Sequence, residues 1–256
     1  MASGVRYFAG LIAFATLMPV ALSHGQTRGA CVVGEAPAIV IGTHGTVTFT
    51  SKDGTSGSLG PGDVLCPGDR ISTAEASGIN LRFDAKDSVT NILSSSTIVI
   101  PEPEARADIS LSSGLLRFIS SVRGAFLVRT PHTDAGIDGT EAMLAVDGSA
   151  VDVLVLVREG IVTATDRRQP GLALALSAGQ ASYSSNTQAL VAATPENVPA
   201  KFRDFLVNPE GAADWAVYYP PILLGAGVGD PLVQRAAALL DAGDPRGAET
   251  LLNGYS

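Results

Sequence analysis

The sequence predicts a mainly β fold: a twisted solenoid- or sandwich-like sheet domain followed by a short C-terminal helical hairpin. Three observations carry that expectation. Between about residue 39 and residue 183, apolar and polar residues alternate in short runs. The runs recur roughly every ten residues, with Gly, Asp, Asn, Ser or Pro between them. Beyond Gly229 the apolar spacing turns helical. Composition agrees, since 28 Gly and 15 Pro alongside abundant Val, Ile, Thr and Ser suit many short strands joined by tight turns.

The N-terminus reads as a secretory signal peptide over residues 1–23. Arg6 precedes an apolar stretch from Tyr7 to Met18, then come Pro19 and the small-residue exit Ala21-Leu22-Ser23. That stretch is about a dozen residues, short of the ~20 a spanning helix needs. The expectation is an exported or periplasmic protein with no transmembrane segment after cleavage. Removing residues 1–23 takes away only Arg6 among the charged side chains, leaving a net charge of about −9. No clustered Lys and Arg remain to engage phosphate backbones, which argues against nucleic acid as a partner. Cys31 and Cys66 are the two cysteines. In an oxidising compartment an even pair reads as a disulfide. Their spacing is not Cys-x-x-Cys and no basic neighbour activates either thiol, which disfavours a redox-active pair.

The β domain is expected over residues 31–185. Thr46 to Thr50 places Val47 and Phe49 on one face, and Gly78 to Asp84 puts Ile79, Leu81 and Phe83 inside with Asn80 and Arg82 outside. Further strands are expected at 89–93, 97–100, 109–111, 115–118, 126–130, 143–146, 151–157, 161–165 and 172–176. The run Val151 to Val157 is almost continuously apolar, so both its faces should be covered, and Glu159-Gly160 should turn the chain into the next strand. Asp53-Gly54, Gly62-Asp63, Gly68-Asp69 and Asp147-Gly148 supply turns, and their carboxylates read as turn chemistry rather than metal ligands.

Residues 186–228 are expected to be a linker that includes a short helical segment, Ala200 to Val207, with Phe202, Phe205 and Leu206 on one side. Trp215, Tyr218 and Tyr219, closed by Pro220-Pro221, are the candidate packing or interaction residues between modules. Residues 229–256 predict the hairpin. Asp230-Pro231 starts one helix, Gly243 closes it, and Asp244-Pro245 starts the second. The stretch Ala236 to Leu252 resembles the opening of a tetratricopeptide repeat. One such pair cannot bury its own apolar face, so either further repeats follow or the hairpin docks on the β domain or a partner.

Catalytic chemistry is sparse. Only His44 and His132 remain beyond the cleavage region, no Gly-x-Ser-x-Gly elbow occurs, and Asp138-Gly139-Thr140 has the wrong order for an aspartic protease. No ligand pair has the spacing of a dedicated metal site. Gly57 to Gly62 lacks the Lys and the helix of a phosphate loop. No catalytic, cofactor-binding or metal residues are assigned, and no cofactor is expected.

The β region resembles a FecR-type domain. The resemblance rests on ordered blocks: Gly45-Thr-Val47, Leu59 to Leu65, Gly68 to Thr73, Ile79 to Phe83, Gly114 to Phe118, Phe126 to Pro131, Ala135 to Glu141, Val155 to Val162 and Leu176 to Gln180. It implies an all-β envelope domain used in signal transduction by protein contact, not catalysis. The family's founding type carries a cytoplasmic segment and a membrane helix ahead of this domain, and here a signal peptide stands in their place. The expected function is a non-enzymatic signal-relay or scaffold module with an envelope protein as partner. A carbohydrate or cell-wall binding module is the first alternative, although 8 Phe, 5 Tyr and one Trp equip a sugar-binding face poorly. An unrecognised hydrolase is the second.

Overall fold

The computed structural model describes residue 31, residues 38–83, 86, 88–120 and 126–208, and seven isolated positions between 232 and 251. Among the described residues, fifteen strands belong to one sheet. They are β1 (Ala38–His44), β2 (Val47–Thr50), β3 (Ser56–Ser58), β4 (Val64–Leu65), β5 (Arg70–Thr73), β6 (Gly78–Phe83), β7 (Ser88–Ile92), β8 (Thr97–Val99), β9 (Ile109–Ser120), β10 (Phe126–Arg129), β11 (Thr133–Asp147), β12 (Asp152–Asp166), β13 (Ala173–Ser177), β14 (Ala181–Ser184) and β15 (Val191–Ala192). The α-helix α1 (Ala200–Val207) follows. The fold is mainly β, as the alternation predicts, and the sheet is not closed.

Three long strands organise it. The C-terminal half of β9, the C-terminal half of β11 and the N-terminal half of β12 lie in one wing, ordered β4-β1-β6-β7-β9-β11-β12-β14-β15. Their other halves lie in a second wing, ordered β3-β2-β5-β8-β9-β10-β11-β12-β13. Every pairing is antiparallel except β9 with β10. The inward residues of both wings form a single buried cluster. Phe126 of β10 sits in it 4.9 Å from Phe83 of β6 and 4.4 Å from Phe118 of β9, measured between ring centroids, so an aromatic trio ties the wings together.

The expected turn at Glu159-Gly160 is not a turn. β12 runs unbroken through it for 15 residues, and β11 does the same opposite. The register slips between Asp138 and Ala142, which is a bulge, and bulges bend a strand without ending it. Gly139 and Gly160 face each other there with φ of +56° and +80°. The Thr140 hydroxyl accepts from the Ile161 N–H at 3.1 Å, within reach of the Asp138 and Ile161 carbonyls, and fastens the bend. Gly read as punctuation at this point is in fact the residue that lets two long strands pass from one wing to the other.

Val153 to Val157 are buried on both faces, as their unbroken apolar run predicts. Val153, Val155 and Val157 join the core between the wings. Leu154 and Leu156 face the other way, into a second cluster with Leu93, Leu115, Met143, Tyr183, Val198 and Phe202. Residues 186–207, expected as part of a linker, are packed on the sheet: β15 pairs with β14, Leu190 enters the main core and α1 lies over the second cluster. Phe202 is buried, with Phe205 and Leu206 partly so, as the helical spacing predicts.

Asn80 is the other correction. It does point away from the main core, but it is fully buried. Alternation tells which face a residue is on and not whether that face is covered. Asn91 stands directly across from it and donates its side-chain amide to the Asn80 Oδ1, while the Asn80 Nδ2 has no hydrogen-bond partner.

Candidate functional site

The turn carboxylates act as turn chemistry. Asp63 accepts from the Gly60 N–H at 2.8 Å, Asp69 from the Cys66 N–H at 2.9 Å and Asp53 from the Thr55 N–H at 2.9 Å. Cys31 and Cys66 are joined in a disulfide, with Cα atoms 5.8 Å apart, which fastens the segment before β1 to the turn after β4. Trp215, Tyr218 and Tyr219 lie outside the described residues. The hairpin at 229–256 lies outside them too, apart from scattered helical positions such as Leu232, Ala236 and Leu251, which define no element.

Asp147 needs more than its turn. One carboxylate oxygen accepts from the Ser149 and Ala150 N–H groups and the Ser149 hydroxyl. The other meets the Lys201 ammonium, which reaches across from α1 and also lies 2.8 Å from Asp152. The Tyr183 hydroxyl donates to the remaining Asp152 oxygen at 2.9 Å. The Lys201 ammonium, with the Ser149 donors, holds the Asp147 carboxyl well below the usual carboxylate range. Burial pulls the Lys201 ammonium down, but the two carboxylates outweigh it and the net shift is upward. This latch orients α1 on the β11–β12 hairpin, and the Lys201 Nζ lies over the Phe202 ring, 5.4 Å from its centroid.

A second ionic group, mostly buried, joins β9, β11 and β12. Glu141 Oε1 accepts from the Arg117 Nε and Nη2 at 3.0 and 2.7 Å, with the Arg158 guanidinium 3.3 Å away. Ile119, paired with Glu141 across the ladder, is exposed. A third group closes one end of the second wing. There Asp134 meets Arg129 at 3.1 Å and Arg167 at 3.4 Å. Asp166, whose side chain is fully buried, accepts from Arg168 at 3.1 Å and from the Leu190 N–H at 3.0 Å. Burial pushes the Asp166 carboxyl up, but the Arg168 contacts and the backbone donors win and hold it at about 2.

His132 lies at that end, with Nε2 3.0 Å from the Asn186 side-chain oxygen. An amide cannot act as base or nucleophile for it. Among the described residues, no group of three or more His, Cys, Asp or Glu could hold a metal ion, and no helix is long and apolar enough to cross a membrane. A groove of about 490 Å³ opens near the disulfide, walled by Pro67, Pro101, Pro103, Phe126 and Leu127, with Lys86 at its rim. Lys86 pairs with Asp108 at 3.0 Å.

Sequence reasoning missed Lys201, Tyr183 and Arg117. Lys201 carried one usable signal, standing beside Phe202 on a helix with a single apolar side. Its carboxylate partners are 49 and 54 positions earlier in the chain, a distance no local pattern spans.

No curated protein shows significant similarity to this chain. Two crystal structures of a candidate anti-sigma factor from Parabacteroides distasonis ATCC 8503, at 2.50 and 1.65 Å, are similar to it. In each case the identity is 18%, the TM-score is 0.41, and the match covers 49% of this chain and 59% of the other. The chain thus spans less than two thirds of that protein's length. Residues 69–163, from the turn before β5 to Thr163 within β12, match the family model described as FecR protein, inside the longer span of ordered blocks, from Gly45 to Gln180, that carries the resemblance.

Proposed function

We propose that this chain is an exported, non-enzymatic interaction module that relays a signal or scaffolds proteins at the cell envelope. The observation that carries the reading is the FecR match at residues 69–163, which takes in β9, the bent strand β11 and most of β12, the strands that build both wings. The signal-peptide pattern at 1–23 and the joined Cys31 and Cys66 support export into an oxidising compartment. In this reading the two wings stack as a twisted solenoid- or sandwich-like domain. Residues 229–256 form a tetratricopeptide-like hairpin, and Trp215, Tyr218 and Tyr219 pack between the two modules.

The test is site-specific photo-crosslinking in the producing cell. A photoreactive residue at Ile119 or Ile161, the exposed large apolar positions of the sheet, is expected to give a discrete adduct with an envelope protein. The same probe at Asp53, in an exposed turn, serves as background. Retention of the purified protein on peptidoglycan with no protein adduct from any position would overturn the proposal in favour of cell-wall binding.

A further inference from the structure

We propose that β13 is a self-association edge, on which a second copy of this chain adds its own β13 in antiparallel register about a two-fold axis at Leu174. The inference starts from the edges of the sheet. β4 and β15 are two residues long and β3 is three, Ser-Gly-Ser. β13 is five residues, Ala-Leu-Ala-Leu-Ser, and among the described residues it pairs only with β12. Soluble proteins blunt long edges with charge, Pro or a bulge. β13 has none of these.

The hydrogen-bond parity of β13 says which groups are offered. The Asp166 N–H donates to the Leu172 carbonyl at 2.9 Å, so residues 166 and 172 form a bonded pair. Bonded and non-bonded pairs alternate along an antiparallel ladder. Leu174 and Leu176 therefore direct their backbone groups at β12, opposite Ala164 and Val162, while Ala173, Ala175 and Ser177 direct theirs outward. Gln180 takes both outward groups of Ser177, through its side-chain oxygen at 2.8 Å and its N–H at 2.9 Å. What remains is one N–H and one C=O on each of Ala173 and Ala175, placed symmetrically about Leu174.

That pattern is its own complement. With the axis at Leu174, Ala173 faces Ala175 of the second copy and the reverse, giving four backbone hydrogen bonds. The two Leu174 side chains meet in a non-bonded pair, where side chains approach most closely. Leu172 and Leu174 pack on the main core yet stay partly exposed at this rim, and the added strand completes their burial. On the other face Ala173 and Ala175 are exposed and small, so no side chain bars the approach. One five-residue edge buries far less than the ~800 Å² per partner of a standard interface, so the dimer should be weak, with a dissociation constant of roughly 10 µM to 1 mM.

The experiment is sedimentation velocity on the full exported chain across a concentration series spanning that range. Reversible dimerisation is expected. Ala175→Pro removes an outward N–H without touching the β12 ladder and should weaken dimerisation at least tenfold. A second pair of variants tests the register through exposed side chains alone. Ala173→Lys with Ala175→Lys sets like charges directly opposite across the axis and should abolish the dimer. Ala173→Lys with Ala175→Glu sets opposite charges there and should retain or strengthen it. A chain that stays monomeric throughout overturns the proposal, and so does a dimer indifferent to Ala175→Pro or one that both charged pairs affect equally.

Discussion

Gly160→Ala is the sharpest probe of how the two wings are joined. Gly160 holds φ at +80°, and a Cβ built there would lie 2.6 Å from both the Gly139 carbonyl oxygen and the Thr140 Oγ1. Two costs add. A non-Gly residue in left-handed backbone costs roughly 1–2 kcal/mol. Relieving an overlap with backbone in a packed region costs roughly 1–3 kcal/mol more. Gly179 separates them, because it has φ +78° and open space where its Cβ would go, so Gly179→Ala carries the conformational cost alone. The expected losses are about 3 kcal/mol for Gly160→Ala and about 1 kcal/mol for Gly179→Ala. The assay is urea unfolding followed by far-ultraviolet circular dichroism, comparing midpoints at unchanged slope. Equal losses for the two variants would refute the close approach of β11 and β12 at the bend, and with it the account of how those strands change wings.

Three further outcomes are expected. Replacing Cys66 with Ser should cost about 4 kcal/mol, from the loop entropy of a 35-residue separation, and the wild type should lose the same amount under reductant while the variant loses nothing more. Asp166 is depressed from 3.8 to about 2, so its stabilisation is full above pH 3.8 and is lost as pH falls through 2. That amounts to about 2 kcal/mol, and Asp166→Asn should flatten the stability profile by that amount over this window; an unaltered profile would refute the assignment. Trp215→Ala should raise protease cutting between Gly225 and Gly229 while leaving the β unit folded, and unchanged cutting with a solvent-exposed tryptophan emission maximum in the wild type would show that the segment packs between no modules.

The main core was legible in the sequence because period two is a local signal. Val47, Phe49, Ile79, Leu81 and Phe83 alternate within a few residues, and each takes its place in the buried cluster. Strand ends at a bulge were not legible. Glu159-Gly160 has the composition of a turn, and only the facing Gly139 and the Thr140 hydroxyl, about 20 residues earlier, turn it into a bend. The covering of the outer face was equally hidden. Val198 and Phe202 bury Leu154 and Leu156 from more than 40 residues away, and nothing near Asn80 announces that it will be enclosed.

The candidate surfaces divide along the same line. The disulfide could be read because two cysteines leave one pairing. The Lys201 latch could not, since it unites a helix with both strands of a β-hairpin beside their turn. The β13 edge lay between these cases. Its alternation of Ala and Leu marks a strand, but a strand becomes an edge only through topology. Pairing with β12 on one side, and with no strand of the described residues on the other, turns an ordinary apolar run into an offered set of hydrogen bonds. The longest edge strand among the described residues, with neither charge nor proline in it, is therefore where a search for this protein's self-contacts should begin, and Ala173 and Ala175 are the positions at which to place the charges.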